Sequence, residues 1–367
     1  MSSRYFPKST EQLVHWYERY VSPLALILGF LADNFFFFSR VDTLQTHLLF
    51  FSYLVIVGSC ILLIHFIQAG KMRDRRIVSM APFIPVVMQF AFGNLFSGYL
   101  ALYSRSASIA VSWIFVVVLA SLLIGNERFR NLYTRFTFQV SLYFTVLFSF
   151  LIFFLPTMLL RIGPWMFVLS GVVSLITTAL FMLLLDRFVP EVVRKDLSRT
   201  VAIIIAIFAI FNTLYFADLI PPVPIALKEA GVYHKVVRTP AGDYELSAEP
   251  VPWYESYLRY NTAYHMTSKE GVYVYSAIFA PSGLSTGILH QWQYHDDVTD
   301  TWIEAGTVRF AITGGRDGGY RGYSFKSAPV PGRWRVNVIT RYGQLIGRIS
   351  FTVIPVSTGV PLVSSIK

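Results

Sequence analysis

The run Thr200–Pro224, TVAIIIAIFAIFNTLYFADLIPPVP, restricts this chain more than any other stretch. It follows the basic segment Arg194–Arg199 and carries no charge until Asp218. A helix needs about 20 such residues to cross a hydrocarbon layer about 30 Å thick. Pro221, Pro222 and Pro224 end it, because proline lacks the backbone donor that a continuing helix requires. The sequence before this run is patterned for a membrane, and the sequence after it for strands.

Only 14% of the 367 residues are charged, whereas soluble domains carry roughly 25%. Seven apolar segments are predicted to span: Pro23–Phe38, Leu48–Gln68, Ile77–Tyr99, Ile109–Gly125, Phe138–Leu160, Pro164–Leu185 and Thr200–Leu219. Alternate loops between them hold four (Lys71, Arg73, Arg75, Arg76), three (Arg128, Arg130, Arg135) and four (Arg187, Arg194, Lys195, Arg199) basic residues. The intervening loops hold one each, Arg40, Arg105 and Arg161. Basic loops stay cytoplasmic, so the amino terminus is expected inside and, after seven crossings, the C-terminal part outside. Residues 1–22 precede the first span. Within them Leu13, Trp16, Tyr17 and Tyr20 share a helical face, which suits an interfacial amphipathic helix or a cytosolic lead-in. Met1–Tyr20 is polar, so no secretory leader is expected. The surplus of positive charge lies mostly in short loops between apolar runs, which argues against nucleic-acid binding. The lone Cys60 excludes an intrachain disulfide and a cysteine-based metal site.

Beyond Pro224 the period becomes two. Gly271–Phe279, Gly287–Tyr294, Thr307–Thr313, Arg333–Thr340 and Leu345–Val353 alternate as strands do, with turn signals between them. Trp334, Val336 and Val338 are expected to face a core, and Arg333, Arg335 and Asn337 to face water. The resulting division is a membrane bundle over 23–220, a collar with one or two strands over 221–270, a β domain over 271–356 and a tail over 357–367. Short strands at this spacing predict an all-β, Ig-like antiparallel sandwich.

The tract from His290 to Val353 resembles the DUF2914 family. Its His-x-Trp, Ser-x-Lys, Pro-Gly-x-Trp-x-Val and closing Gly-to-Phe-x-Val patterns are carried by His290, Trp292, Ser324, Lys326, Pro331, Gly332, Trp334, Val336, Gly343, Phe351 and Val353. The resemblance covers about residues 270–355, and the helical half, with Gly93–Gly98 and Tyr103–Ser108, is similar to the multi-span region found with it. It implies a bacterial inner-membrane protein with a periplasmic β domain, and implies no chemistry.

No nucleophile elbow, HExxH or Walker motif appears, so catalysis is not the expectation, and no cofactor or metal is expected. His290, Trp292 and His295 in HQWQYH admit a metal reading, weighed against a packed histidine beside a solvated acidic turn, Asp296–Asp300. The turn GGRDGGYRG lacks the GK[ST] ending of a phosphate loop and reads as a hairpin connection. His65 is expected to be a capped interfacial residue. On the expected topology Asp33, Arg40, Asn94, Tyr103, Arg105, Arg161 and Asp218 gather toward the outer leaflet. They form either a pocket for an anionic headgroup or ordinary loop charges that dock the β domain. Trp253, Tyr254, Tyr257, Tyr260 and Tyr264 are candidate contact aromatics. The leading expectation is an inner-membrane scaffold whose periplasmic domain binds a protein or envelope partner, with the bilayer as its other partner. The alternative is a transporter or lipid-handling protein using the outer-leaflet cluster.

Overall fold

The computed structural model describes residues 42–72, 74–106, 109–126, 132–253, 260–267, 270–316 and 318–367. The chain divides into a helical unit, Met1–Ser104 with Trp113–Ile220, and a mainly strand-built unit, Pro221–Lys367, to which Arg105–Ser112 is also assigned. The expected first span, Pro23–Phe38, lies outside the described residues.

The helical unit contains α1 (Leu44–Gln68), α2 (Arg75–Ser79), α3 (Ile84–Ser106), α4 (Ile109–Gly125), α5 (Phe136–Leu159), α6 (Pro164–Phe188) and α7 (Pro190–Phe216). Among the described residues five helices are long and apolar enough to cross a membrane, those built on α1, α3, α5, α6 and α7, with α4 a shorter apolar one. Two of the helix starts that differ from the sequence expectation are explained by prolines. The third segment does not run unbroken from Ile77, because α2 stops at Ser79 and a 3-10 turn, Ala81–Phe83, precedes α3. Pro82 and Pro85 thereby fall in first turns, where a missing N–H costs nothing. The last helix begins at Pro190 rather than Thr200, with the ring preset for the first turn. The basic segment Arg194–Arg199 is thus helical, and Arg194 pairs with Asp186 at 3.2 Å.

The core of this unit is aromatic. Phe50 stacks on Tyr99 and meets Phe150 and Phe153, while Phe148 stacks on Phe208 and Phe211 and Phe167 on Tyr215. Hydroxyls of one helix donate to backbone carbonyls of another: Tyr99 to Val146 at 2.8 Å, Tyr103 to Ser149 at 3.2 Å, and Ser170 to Leu151 at 2.9 Å. Such bonds hold helices together where water offers no alternative partner. Gly171 is small by necessity, since a Cβ there would lie 2.5 Å from Phe208 and 2.9 Å from Phe148. His65 is buried, with Nε2 2.7 Å from Gln139 Oε1. Gln139 donates in turn to the Tyr133 carbonyl, the Tyr133 hydroxyl to Asn126, and Asn126 to the Gln89 carbonyl at 3.0 Å.

Among the described residues the second unit has eleven strands: β1 (Ala226–Tyr233), β2 (Lys235–Arg238), β3 (Tyr244–Ala248), β4 (Ala263–Met266), β5 (Gly271–Phe279), β6 (Ser285–Asp296), β7 (Thr301–Thr313), β8 (Tyr320–Ser327), β9 (Gly332–Thr340), β10 (Leu345–Pro355) and β11 (Val363–Ile366). They form sheets in the orders β1-β5-β8, β4-β10-β9-β6-β7 and β11-β3-β2. The expectation of a purely antiparallel fold is corrected in one place, because β4 runs parallel to β10. Strands also extend into both flanks of the expected domain. β1 pairs with β5 from Ala226 to Tyr233, and β11, in the expected tail, pairs with β3. On the inner face the alternation holds, with Trp334, Val336, Val338, Ile349, Phe351 and Val353 all buried, but Asn337, expected to face water, is buried as well, because Gln291, Gln293 and Arg348 close over it.

The glycine-rich turn is not a hairpin. β7 belongs to the five-stranded sheet and β8 to the three-stranded one, so the chain changes sheets between these two strands. The Pro281–Ser282–Gly283 turn, between β5 and β6, makes the opposite crossing beside it. Gly314 N donates to Leu284 O at 2.8 Å and Gly315 N to Ala280 O at 3.1 Å.

Candidate functional site

The signature residues of β6 and β8 converge inside the β unit. Period two places His290 and Trp292 on the inner face of β6, where both are fully buried. His290 Nε2 lies 2.8 Å from Ser276 Oγ on β5 and Nδ1 lies 2.9 Å from Ser324 Oγ on β8. Trp292 Nε1 donates to the same Ser324 Oγ at 3.0 Å. One imidazole thus ties the five-stranded sheet to two strands of the sheet facing it. A neutral ring satisfies this arrangement, one nitrogen donating and the other accepting. Burial drives the His290 pKa down to about 3. Lys326, two residues beyond Ser324, donates to Ala305 O at 2.6 Å, at the bulge where Trp292 opposes Gly306 on β7. The His-x-Trp and Ser-x-Lys residues therefore bond one another and the neighbouring backbone. Among the described residues no group of three or more His, Cys, Asp or Glu is placed to hold a metal.

The outer face of the same sheet carries the groups available to a partner. Gln291 and Gln293 on β6 stand beside Arg335 and Asn337 on β9, followed by Arg348 on β10. Gln293 Oε1 accepts from Arg335 Nε at 2.7 Å and from Asn337 Nδ2 at 3.2 Å, and Asn337 Oδ1 accepts from Arg348 Nε at 2.7 Å. The Arg335 guanidinium lies over the Trp302 ring at 4.1 Å. Each arginine spends its Nε on an amide oxygen, and neither forms an ion pair among the described residues. The nearest acid on this face, Glu304, sits beyond Gln293 on β7, two strands from Arg335, or about 10 Å. Burial first and then the Arg348 charge hold Arg335 below the usual arginine range. His295, near the end of β6, has a different environment, between Asp297 at 2.8 Å and Asp300 at 3.1 Å, with Arg333 bonded to Asp297 at 2.7 Å.

The residues singled out in the sequence fare differently. Asp33 and Arg40 lie outside the described residues. Arg105 falls in the last turn of α3, its side chain outside the described ones. Asn94 donates to its own helix, to Phe90 O at 2.8 Å. Tyr103 is buried against Phe115. Arg161 and Asp218 are exposed, just past the ends of α5 and α7. Among the described residues no hydrogen bond or ion pair joins any two of these. Trp253 is 85% exposed, and Tyr254 and Tyr257 lie outside the described residues. Tyr260 reaches the sheet edge, its hydroxyl 3.5 Å from Ser350 N. Tyr264, a candidate contact aromatic, is instead buried, stacks on His234 and donates to Gly271 O at 2.8 Å. His234 in turn bonds a second buried polar group, Glu249, which accepts from His265 N, His265 Nδ1 and His234 Nε2 at 2.7, 2.6 and 3.1 Å. Of the outer face, only Arg333, Arg335 and Asn337 are assigned to solvent from the sequence. Trp302 and Arg348 escape notice because strand register, not local pattern, sets them beside Arg335.

Among solved structures, the Pseudomonas fluorescens alkylpurine DNA glycosylase AlkC bound to DNA containing an abasic site analog aligns at 11% identity. The alignment covers 82% of this chain and 96% of that one with a TM-score of 0.22, a likeness too low to carry an argument. No curated protein matches the chain. Residues 285–353, which span β6 to β10 and contain His290, Trp292, Ser324 and Lys326, match the family described as a protein of unknown function, DUF2914.

Proposed function

We propose that this chain is a multi-pass scaffold of the bacterial inner membrane whose β domain, an Ig-like sandwich on the periplasmic side, binds a protein or envelope partner. The apolar lengths of α1, α3, α5, α6 and α7 support membrane residence, and the alternation of basic loops supports the orientation. One observation carries the binding reading. Arg335 and Arg348 are fixed by amide oxygens and by Trp302, with no carboxylate paired to either among the described residues. A rigid aromatic–arginine pair is the kind of group that dominates interface energetics.

Photo-crosslinking in native membranes tests it, with the probe at Trp253, an exposed position in the same unit. A discrete adduct is expected. In a Trp302→Ala/Arg335→Ala protein the adduct should fall about thirtyfold, the loss associated with a hot spot of about 2 kcal/mol. An undiminished adduct, or none in any growth condition, would sink the reading.

A further inference from the structure

Where α1 ends and α5 and α7 begin, the helical unit contains a cavity of about 570 Å³. That volume lies within the roughly 300–1,000 Å³ of small-molecule sites. Its charged lining is mainly cationic, with Arg135, Lys195 and Arg199 against Glu191 and Asp196. Lys195 and Arg199 are four residues apart, so α7 turns both toward the same side. None of the three cations forms an ion pair among the described residues. The N-cap of α5 is Arg135, whose side chain makes no capping bond, so the positive end of that helix lies beside Arg135, Phe136 and Thr137 of the lining. The helix dipole favours an anion at that end. His65 supplies an independent observation. It lines the cavity, is 1% exposed, and its Nδ1 has no partner of normal hydrogen-bonding geometry, the Gln68 amide included. Leu132, Phe138 and Ile203 complete an apolar wall beside the charges.

We propose that this cavity binds a phosphate ester, with Arg135, Lys195, Arg199 and the first turn of α5 on the phosphate. An anionic phospholipid is the favoured source, because basic pockets between helices at a membrane face recruit such headgroups and the apolar wall suits the adjoining glycerol and acyl carbons. This preference rests on the helical unit lying in a bilayer, which alkaline extraction of membranes tests separately.

Native mass spectrometry of the full-length, delipidated protein decides the proposal, with phosphatidylglycerol, diacylglycerol and inorganic phosphate as probes. Phosphatidylglycerol should bind and diacylglycerol, which lacks the phosphate, should not. In an Arg135→Gln/Lys195→Gln/Arg199→Gln protein the affinity should drop about a hundredfold, the sum of three surface-type cation contributions. Displacement of the lipid by inorganic phosphate alone would support the site and assign its ligand to solution. Equal binding of diacylglycerol, or unchanged lipid affinity in the triple variant, would overturn it. Should the triple variant lose its thermal transition, Arg135→Gln, on an exposed side chain, should still show about a fivefold loss and Arg135→Lys little; identical affinities in all three proteins would overturn it equally.

Discussion

Replacing His290 with leucine should lower the thermal midpoint of the β domain by about 10 °C, following a loss of about 3 kcal/mol in a domain of this size. The substitution leaves Ser276 Oγ and the Ser324 hydroxyl facing an apolar side chain, and each buried polar group without a partner costs roughly 1–3 kcal/mol. Differential scanning fluorimetry of the full chain in detergent measures it. A shift below about 2 °C would show that the bridge between sheets contributes little.

The same residue makes the domain acid-sensitive. The folded state holds His290 neutral down to about pH 3, while the unfolded chain protonates it near the ordinary value of about 6.5. Between these limits the unfolded state binds the extra proton, so stability is complete above about pH 6.5 and falls by about 1.4 kcal/mol per unit as pH drops. Below about pH 3 this loss stops. Glu249 adds a further decline in more acidic solution. Burial would raise its pKa, but bonds from the His265 backbone and both imidazoles outweigh that and hold it below the usual range. Urea unfolding at pH 7 and pH 5 should thus differ by about 2 kcal/mol, and the part owed to His290 should vanish in the leucine variant.

Gly314→Ala should be at least as damaging. A Cβ at Gly314 would stand 1.8 Å from Pro281 O and 2.6 Å from Ala280 O, both backbone atoms that side-chain rotation cannot move. The two crossings between sheets would have to part, and more than 3 kcal/mol of stability should go, or the domain should fail to fold. Gly343→Ala is the control. Its φ of +86° is strained for alanine, yet nothing lies within 4 Å of the new carbon. A loss of about 1 kcal/mol is expected there. Comparable midpoints for the two variants would contradict the close packing of the crossings.

These effects mark how far local pattern reaches. Apolar runs located the long helices because length and hydropathy are local, and alternation located β5, β6, β9 and β10 for the same reason. The starts of α3 and α7 shifted where proline acted as an initiator rather than a breaker. The collar was expected to hold one or two strands and holds β1 to β4, and β11 was not expected, because short strands of mixed polarity owe their order to distant partners. The pairing of His65 with Gln139 spans 74 positions, and nothing near either residue announces it. The outer arginine–tryptophan face was half legible for the same reason: Arg335 alternates visibly, but Trp302 reaches it only through the register of β6 between β7 and β9.

The bulge at Ala305 has a consequence outside the folded monomer. β7 is a 13-residue strand at the end of its sheet, and a long free border of amides and carbonyls is a template for another chain. Gly306, with φ of +131°, bends that border, and Lys326 occupies the Ala305 carbonyl from the facing sheet. The Ser-x-Lys lysine therefore takes up one carbonyl of that border, so the ladder a second strand would need is interrupted at the bulge.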